Sequence, residues 1–469
     1  MRQTKIICTI GPKTASFESI LKLARLGMNV ARLNMSHGDH LWHKKVIEAI
    51  KTINKKGDYS IAILLDTKGP EIRTGDVKSE IKVKSGDRFI FTIKKSVNYK
   101  TNTVEVNYDD FIKDVAVSDV ILIDGGRLSF KVIEKTKDEV ITECIDGGVI
   151  TSRRHINIKG KSSSQPTITE KDWQDIDFGI ENNVDFIALS FVKESYAVEK
   201  LKEYLKKKKS NALIISKIES AFAISSLEKI IEVSNGVMVA RGDLGAELPI
   251  EEVPLLQEKI VNLCFQMRKP VIIATHLLES MIENPTPTRA EVTDIFLGLK
   301  QKADALMLSG ETAVGLYPFK SIEVMSHVVE NLEKKIFSKK INFFSFPSTF
   351  DSRMEIAKAA SFLAENLKVS AIVVFTRRGY MASLVSYFRP FVPIFAFTNM
   401  SSVRRKLNLF WGVNAFRIEF SKDPEKTIKK AIEILKEKNY LKKNSQIVVV
   451  SDILIEKQYV ETIQIRKIS

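Results

Sequence analysis

The sequence predicts an α/β protein: a (β/α)8 TIM barrel that carries an inserted small β-barrel lid domain and is followed by a C-terminal α/β domain. Eight short apolar runs alternate with helical stretches, which is the strand count of a closed parallel barrel. From about residue 69 to residue 159 this alternation stops, and short segments of period two are separated by Gly and Asp turns. After a polar linker near 339–349, strands and helices alternate again.

The barrel strands are the apolar, β-branched runs on either side of the interruption. Such runs are typical of strands that are buried on both faces of a parallel sheet. We expect them at 4–10, 28–33, 60–65, 186–191, 212–219, 236–240, 270–274 and 305–308. Ser16 is the expected N-cap of the first helix, and Gly27 is expected to end that helix. A doubly wound open sheet is the alternative, which the eightfold count disfavours.

The domain boundaries are expected where the pattern changes. The barrel takes 1–68 and 160–340, the lid 69–159, and the C-terminal α/β domain 346–469. In that last domain, we expect strands at 371–375, 392–397, 413–416, 446–450 and 462–468.

The composition is that of a large cytoplasmic protein. No apolar run approaches the ~20 residues that span a bilayer, and the first residues lead into a strand with no signal-peptide region. The three cysteines are widely spaced, which favours free thiols in a reducing compartment. The formal charge is +15, but the basic residues are dispersed along helices with few aromatics between them, so no specific nucleic-acid partner is expected.

Polar residues recur where the barrel strands stop. The set is Arg32, Asn34 and Ser36 after the second strand, Asp66, Thr67 and Arg73 after the third, Ser190 at the end of the fourth, Lys217 and Glu219 in the fifth, Gly242 and Asp243 after the sixth, and Thr275 after the seventh. Taken alone, Lys217 and Glu219 could be a solvated ion pair at the end of a strand. Because all carboxyl ends of barrel strands meet at one mouth, the whole set instead predicts one shared site.

The residue types indicate the chemistry of this site. Glu219 and Asp243 offer two carboxylates, enough for an octahedral Mg²⁺ that keeps other positions for water and substrate. Asp66, with oxygens of Asn34, Ser36 and Thr67, forms a cluster of lower charge that suits a monovalent cation. Arg32, Arg73 and Lys217 supply positive charge for a phosphate. Metal ions and convergent cations together are typical of phosphoryl transfer.

Two other motifs are weaker. Gly160-Lys161-Ser162 resembles the end of a P-loop, but His155 stands where the earlier glycine is required. His37, His40 and His43 could suggest a metal cluster, yet their spacing near a helix start favours solvated or capping histidines.

With these residues, the chain resembles the pyruvate kinases. The matching segments are 4–12, 29–38, 65–75, 215–219, 238–245, 286–292 and 307–312. The resemblance implies transfer of the phosphoryl group from phosphoenolpyruvate to ADP, giving pyruvate and ATP, with Mg²⁺ (or Mn²⁺) and K⁺ as cofactors. It also implies a homotetramer.

The resemblance further implies a role for each residue at the mouth. Lys217 stabilises the transferring phosphoryl group and the enolate, and Arg32 binds phosphate. Glu219 and Asp243 hold Mg²⁺, while Gly242 and Thr275 contact the pyruvate moiety and Thr275 also belongs to the proton relay. The implied K⁺ ligands are Asn34, Ser36, Asp66 and Thr67, and the implied nucleotide contacts are His37, Arg73 and Arg154. Glu71 matches the K⁺-dependent members.

Several positions depart from the family pattern. His276 and Leu277 replace Gln-Met, Phe296 and Leu297 replace Ala-Asn, and His155 and Lys159 replace Gly and Pro at the return from the lid. The loops at 376–382 and 451–458 lack the serine and the glycines of the family's sugar-phosphate site. We therefore expect control by a sugar bisphosphate to be absent or altered.

Two rival functions stay open at this point. One is a Mg²⁺-dependent aldolase or lyase that acts on a pyruvate enolate, including a variant in which Lys217 forms a Schiff base. The other is a non-enzymatic protein that binds anions or RNA through its positive charge.

Overall fold

The computed structural model describes residues 1–94, 102–161, 164–336, 351–455 and 458–468, and for 452–455 and 458–459 it describes the backbone alone. The strands fall into four groups along the chain. The first group is β1 (Lys5–Thr9), β2 (Val30–Asn34) and β3 (Ala62–Asp66). The second group is β4 (Ile72–Arg73), β5 (Ile81–Val83), β6 (Arg88–Thr92), β7 (Thr103–Glu105), β8 (Val120–Ile123), β9 (Leu128–Lys135), β10 (Glu139–Asp146), β11 (Gly148–Ile150) and β12 (His155–Ile158). The third group is β13 (Phe186–Leu189), β14 (Leu213–Ile218), β15 (Gly236–Ala240), β16 (Val271–Ala274) and β17 (Ala305–Leu308), and the last is β18 (Ala371–Phe375), β19 (Ile394–Thr398), β20 (Val413–Arg417), β21 (Gln446–Ile455) and β22 (Gln458–Lys467).

The α-helices lie mainly between the barrel strands and around the C-terminal sheet. Their bounds are α1 (Phe17–Arg25), α2 (His40–Lys56), α3 (Phe111–Asp114), α4 (Glu170–Glu181), α5 (Ser195–Lys207), α6 (Leu227–Val233), α7 (Arg241–Glu247), α8 (Val253–Gln266), α9 (Arg289–Lys300), α10 (Gly310–Ala313), α11 (Pro318–Ile336), α12 (Ser352–Asn366), α13 (Tyr380–Tyr387), α14 (Ser401–Lys406) and α15 (Pro424–Glu437).

The first and third strand groups form the predicted closed barrel. Its order is β1-β17-β16-β15-β14-β13-β3-β2, and every neighbouring pair is parallel. The ring closes between β1 and β17, where Cys8 lies opposite Leu308. The eightfold count is therefore confirmed, and all carboxyl ends open at one mouth.

The barrel interior is filled by side chains from alternate strand positions, such as Ile7, Leu64 and Phe186. Leu409, from the segment between α14 and β20, belongs to the same apolar cluster. The C-terminal domain therefore contributes a side chain to the barrel core. The rest of the apolar residues of the strands pack against the surrounding helices.

The second strand group forms the lid. Seven strands make a mixed sheet in the order β4-β12-β8-β9-β10-β6-β7, and β5 pairs with β11. A bridge between Thr74 and Val106 joins the two edges of the large sheet. Its phenylalanines, including Phe89, Phe91 and Phe130, form a separate core.

The C-terminal sheet has the order β20-β19-β18-β21-β22, and only β22 is antiparallel to its neighbour. The strand β21 continues to Ile455, beyond the predicted end at residue 450. The backbone of the predicted 451–458 loop therefore lies largely in a hairpin, whereas its side chains from 452 onward lie outside the described residues. The predicted linker at 339–349 also lies outside them.

The predicted cap of the first helix is confirmed, because the Ser16 side chain accepts from the Ser19 N–H. The prediction that His43 is a solvated or capping residue is wrong. Asp39 caps α2, and His43 is buried in that helix, with Nε2 2.8 Å from the carbonyl oxygen of His37. His40 instead pairs with the buried Asp175 at 2.7 Å. Within the described ranges, no helix has the length and apolarity needed to cross a membrane.

Candidate active site

A polar cleft of about 460 Å³ lies at the carboxyl ends of the barrel strands. Its walls are Arg32, Asn34, Ser36, His37, Thr67, Lys68, Glu71, Arg73, Phe191, Lys217, Glu219 and Asp243. Nine of the residues that the sequence predicted for the site are in this wall. They come from four stretches of chain that are separated by up to about 200 residues, so the barrel closure brings them together.

Lys217 is a buried cation of the cleft, and three side chains contact its ammonium group. Its ammonium lies 2.8 Å from Glu219 Oε1, 3.0 Å from Asp66 Oδ1 and 2.8 Å from Ser190 Oγ. Burial lowers the pKa of Lys217, but the Asp66 and Glu219 carboxylates more than compensate and hold this pKa above its usual value. Lys217 is therefore a fixed ammonium, which argues against its use as a neutral amine nucleophile.

Arg32 is the second buried cation. Its Nε donates to Asp66 Oδ2 at 2.6 Å, and its Nη1 donates to the Thr9 hydroxyl at 3.0 Å. Burial raises the pKa of Asp66, yet Lys217 and Arg32 reverse this effect and leave the pKa below its usual value. Asp66 is thus an ionised carboxylate that orients both cations from behind the cleft.

The residues present fit a divalent metal ion. Arg32 and Lys217 face three carboxylates, those of Asp66, Glu219 and Asp243, so this inner group lacks positive charge. Burial raises the pKa of Glu219 to about 7 and also raises the pKa of Asp243, and the two carboxyl groups are within hydrogen-bonding contact. Two carboxylates in contact need a proton or a cation between them.

The residues present suit a metal ion that binds only a few protein side chains. Over the described ranges, no group of three or more His, Cys, Asp or Glu side chains is arranged to hold a metal. Two carboxylates that leave other positions open are the arrangement that Mg²⁺ uses with substrate phosphates.

The predicted K⁺ cluster lies next to Lys217, whose ammonium is 3.0 Å from Asp66 Oδ1. Asn34, Ser36 and Thr67 all line the cleft, and Asn34 Oδ1 accepts from the Ser36 N–H at 3.2 Å. Asp66, the fourth predicted ligand, is fully buried and is not part of the cleft wall. Neutral oxygens around one carboxylate suit a monovalent cation better than a divalent one.

Thr275 and Gly242 stand beside the cleft, next to Asp243. The Gly242 N–H donates to Thr275 Oγ1 at 2.8 Å, and this hydroxyl donates to the Ala274 carbonyl at 2.6 Å. Thr275 has a φ of 68° and His276 a φ of 54°, both in the left-handed region that branched side chains avoid. The Arg241 guanidinium donates to the carbonyls of Ala274 and Thr275 and pairs with Asp294 at 2.6 Å.

Of the three predicted nucleotide contacts, two lie together in the cleft wall and one does not. His37 and Arg73 line the cleft, and Arg73 Nε donates to Glu71 Oε2 at 2.8 Å. Burial lowers the pKa of His37, so this imidazole is neutral at pH 7. Arg154 does not line the cleft; it lies on the lid, with Nη1 3.3 Å from Asp124 Oδ1.

Lys68 and Phe191 in the cleft wall and Ser190 beside it were not assigned a role by the sequence. Ser190 contacts Lys217, and the Phe191 N–H donates to Glu219 Oε2 at 2.7 Å while Phe191 itself has a φ of 50°. The only signal for Ser190 and Phe191 was the polar end of the fourth strand. Gly69 packs over both residues: its φ is 74°, and a Cβ there would lie 2.7 Å from the Phe191 ring and 2.9 Å from Ser190 Cβ.

Comparisons with known proteins agree with this geometry. The family model "Pyruvate kinase, barrel domain" matches residues 1–322, and "Pyruvate kinase, alpha/beta domain" matches 354–466. The chain is 51% identical to pyruvate kinase isozyme G, chloroplastic, of Nicotiana tabacum, over 96% of this chain and 80% of that protein. It is 41% identical to pyruvate kinase of Bacillus licheniformis, over 92% of this chain and 75% of that protein.

A solved structure gives the same result. The crystal structure of a pyruvate kinase from Cryptosporidium parvum superposes with a TM-score of 0.90 at 34% identity, over 99% of this chain and 96% of that one. The similarity covers the barrel, the lid and the C-terminal domain together. The chain therefore belongs to the pyruvate kinase family and is a phosphotransferase of that kind.

Proposed function

We propose that the cleft binds phosphoenolpyruvate and ADP and is where the phosphoryl group passes between them. One observation carries this proposal: two fixed cations, Arg32 and Lys217, converge on a cleft that also holds the Glu219 and Asp243 carboxylates. Phosphoryl transfer asks the protein mainly for positioning and charge stabilisation. The cleft supplies both.

We assign to the residues the roles that the resemblance implies, and their positions in the cleft are compatible with these roles. Arg32 and Lys217 bind the phosphoryl group, and Lys217 also stabilises the negative charge on the enolate oxygen when the oxygen–phosphorus bond breaks. Gly242, Asp243 and Thr275 bind the pyruvate moiety. The Thr275 hydroxyl takes part in the relay that delivers a proton to the enolate carbon, which completes pyruvate.

Glu219 and Asp243 would hold Mg²⁺ (or Mn²⁺), and Asn34, Ser36, Asp66 and Thr67 would hold K⁺. Bound there, these ions supply the positive charge that neutralises the phosphoryl oxygens during transfer. Glu71 lines the cleft, and the resemblance matches it to the K⁺-dependent members of the family, whereas independent members typically carry a lysine there whose ammonium can replace the ion. We therefore predict K⁺ dependence, and full activity in buffer without K⁺ and Na⁺ would overturn this prediction.

The nucleotide is proposed to bind between barrel and lid, against His37, Arg73 and Arg154. Arg154 lies outside the cleft wall, so its contact requires the lid (69–159) to move toward the barrel (1–68 and 160–340). His155 at the return strand of the lid is packed near the Phe191 ring, with ring centroids 6.0 Å apart, and will affect this movement.

The cellular compartment, the oligomeric state and the regulation of the enzyme are also proposals. The three cysteines are buried and free, which supports a reducing compartment such as the cytoplasm. The relatives from plants are named as chloroplast proteins, so the compartment stays a prediction. The homotetramer and the separate C-terminal domain at 346–469 are likewise proposals. We also propose that the response to a sugar bisphosphate is absent or altered. A large drop in the half-saturating substrate concentration on adding fructose 1,6-bisphosphate would refute this last proposal.

The deciding experiment measures pyruvate formed from phosphoenolpyruvate and ADP, with and without Mg²⁺ and K⁺, for the wild type and Lys217→Met. We expect pyruvate only from the wild type with both ions. If the wild type makes no pyruvate under any condition, the proposal fails. Borohydride trapping with pyruvate would instead support the aldolase, which the raised pKa of Lys217 and the family assignment disfavour.

A further inference from the structure

Ser190 joins the two proposed ion sites through hydrogen bonds. It follows the fourth barrel strand and is completely buried. On one side its hydroxyl oxygen accepts from the Lys217 ammonium at 2.8 Å. On the other, its hydroxyl donates to the Thr67 carbonyl at 2.7 Å, and its backbone N–H donates to the Thr67 hydroxyl at 3.1 Å. Thr67 belongs to the proposed K⁺ cluster.

The direction of these hydrogen bonds is fixed. A hydroxyl has one proton, and the Thr67 carbonyl at 2.7 Å is a nearer acceptor than Asp66 Oδ1 at 3.4 Å. With its proton given to Thr67, the Ser190 oxygen presents lone pairs to Lys217. The chain of hydrogen bonds therefore runs from the ammonium through the hydroxyl to the carbonyl.

Ser190 differs from the other acceptors of Lys217. Among the described residues, the ammonium contacts two carboxylates and this hydroxyl, which together match its three N–H groups. Glu219 is a proposed metal ligand, and Asp66 also holds Arg32. Ser190 is the neutral partner, and Gly69 packs closely over its Cβ, which fixes its position.

We propose that Ser190 is a positioning residue, which sets the direction of the Lys217 ammonium and couples occupancy of the K⁺ cluster to it. The inference rests on the proposed function of the cleft. Asn34, Ser36, Asp66 and Thr67 would hold K⁺, which would fix the Thr67 peptide, and the Ser190 hydroxyl would pass this restraint to the Lys217 ammonium. One chain of hydrogen bonds, from Thr67 through Ser190 to Lys217, would therefore connect the two proposed ion sites.

The test compares Ser190→Ala with Ser216→Ala. Ser216 is also fully buried, in the neighbouring strand β14, but its hydroxyl bonds Ser234 at 2.6 Å. We expect Ser190→Ala to lower kcat by about 10- to 100-fold, as loss of a charged hydrogen bond predicts. We also expect it to raise the half-saturating K⁺ concentration about 5-fold, the fold-change that corresponds to a loss of about 1 kcal/mol of coupling. The KM for ADP should stay within about twofold, and Ser216→Ala should stay near the wild type in all three constants.

A second measurement does not depend on turnover. K⁺ should raise the melting temperature of the wild type, and this shift should be smaller for Ser190→Ala at the same K⁺ concentration. If Ser190→Ala does not fold, Ser190→Cys fills the same space with a weaker donor and is measured in the same way. An active wild type whose Ser190 and Ser216 variants share the same K⁺ response and kcat would overturn the inference. A wild type without activity would overturn the proposed function instead.

Discussion

Arg241 donates a hydrogen bond to the carbonyl oxygen of Thr275, a residue held with a φ of 68° beside the Gly242 N–H. A branched residue in this region costs of order 1–3 kcal/mol, so the surrounding contacts must hold it. Arg241 is oriented in turn by Asp294 on α9. The strained turn at the end of the seventh barrel strand is therefore secured from the helix that follows it.

This arrangement predicts the effect of Asp294→Asn. The neutral amide cannot hold the guanidinium as firmly, so the Thr275 turn relaxes, and we expect kcat to fall about 10-fold. The KM for ADP should change little, because no described nucleotide contact is altered. Steady-state kinetics give both constants. Thr293→Ala, on the exposed side of the same helix, is the control. If Asp294→Asn lowered kcat no more than Thr293→Ala does, the prediction would be contradicted.

Replacing Lys217 should separate activity from folding. For Lys217→Met we expect kcat to fall by about 10³-fold or more, because the preorganised ammonium is lost. The variant should also lose about 3–5 kcal/mol of stability, since Asp66 and Glu219 are left without this cation. Denaturant unfolding measures the second effect. Lys217→Arg, which keeps the charge, should recover stability more than activity; equal recovery of both would contradict this.

Lys5 makes stability depend on pH. It is buried, and its ammonium donates to the Val413 carbonyl of the C-terminal domain at 2.6 Å. Burial, with Arg2 nearby, lowers the pKa of Lys5 to about 7. Between pH 7 and the ordinary lysine pKa of 10.5, the unfolded chain therefore binds the extra proton, so the stability of the native protein rises with pH in this window.

The variant Lys5→Met removes this titration. Its stability relative to the wild type should decrease by about 2–3 kcal/mol between pH 6 and pH 9, because the wild type sheds the buried charge over this range. Denaturant unfolding at both pH values measures the difference. A constant difference would show that Lys5 does not change its protonation on folding.

Leu409 should stabilise the barrel although it belongs to the C-terminal domain. Leu409→Ala removes a side chain that is 1% exposed among the interior residues of the strands, and we expect a loss of about 2–5 kcal/mol. Leu41→Ala is the control, because Leu41 is 65% exposed on α2 and should cost less than about 0.5 kcal/mol. Similar losses in the free energy of unfolding for the two variants would contradict this role for Leu409.

An interdomain ion pair predicts a related effect. Arg389 pairs with Asp304 at 2.9 Å, both nearly buried, and Asp304 also accepts from the Val271 N–H of the barrel. Arg389→Met leaves this carboxylate without its cation, which should cost about 3–5 kcal/mol. Differential scanning calorimetry of Arg389→Met should show a lower transition temperature for the whole chain. Arg417→Met, which removes an exposed ion pair with Glu419, is the control and should leave this temperature unchanged.

Much of the architecture was determined by the sequence alone. Buried parallel strands have a local signature, and the expected strand at 236–240 agrees with β15 residue for residue. Because the carboxyl ends of barrel strands share one mouth, the positions of Arg32, Lys217 and Asp243 along the chain are enough to group them. Their assigned roles stay predictions, but their common location follows from the barrel count and needs no knowledge of individual tertiary contacts.

The tertiary structure alone decided how these groups are held. The left-handed φ of Phe191 and Thr275, the burial of His43 and the insertion of Leu409 have no local pattern. They arise from contacts between segments far apart in the chain, where packing overrides backbone preference. Ser190 is the clearest case: the sequence marks it as a polar strand end, and only the closed barrel places its hydroxyl between Lys217 and Thr67.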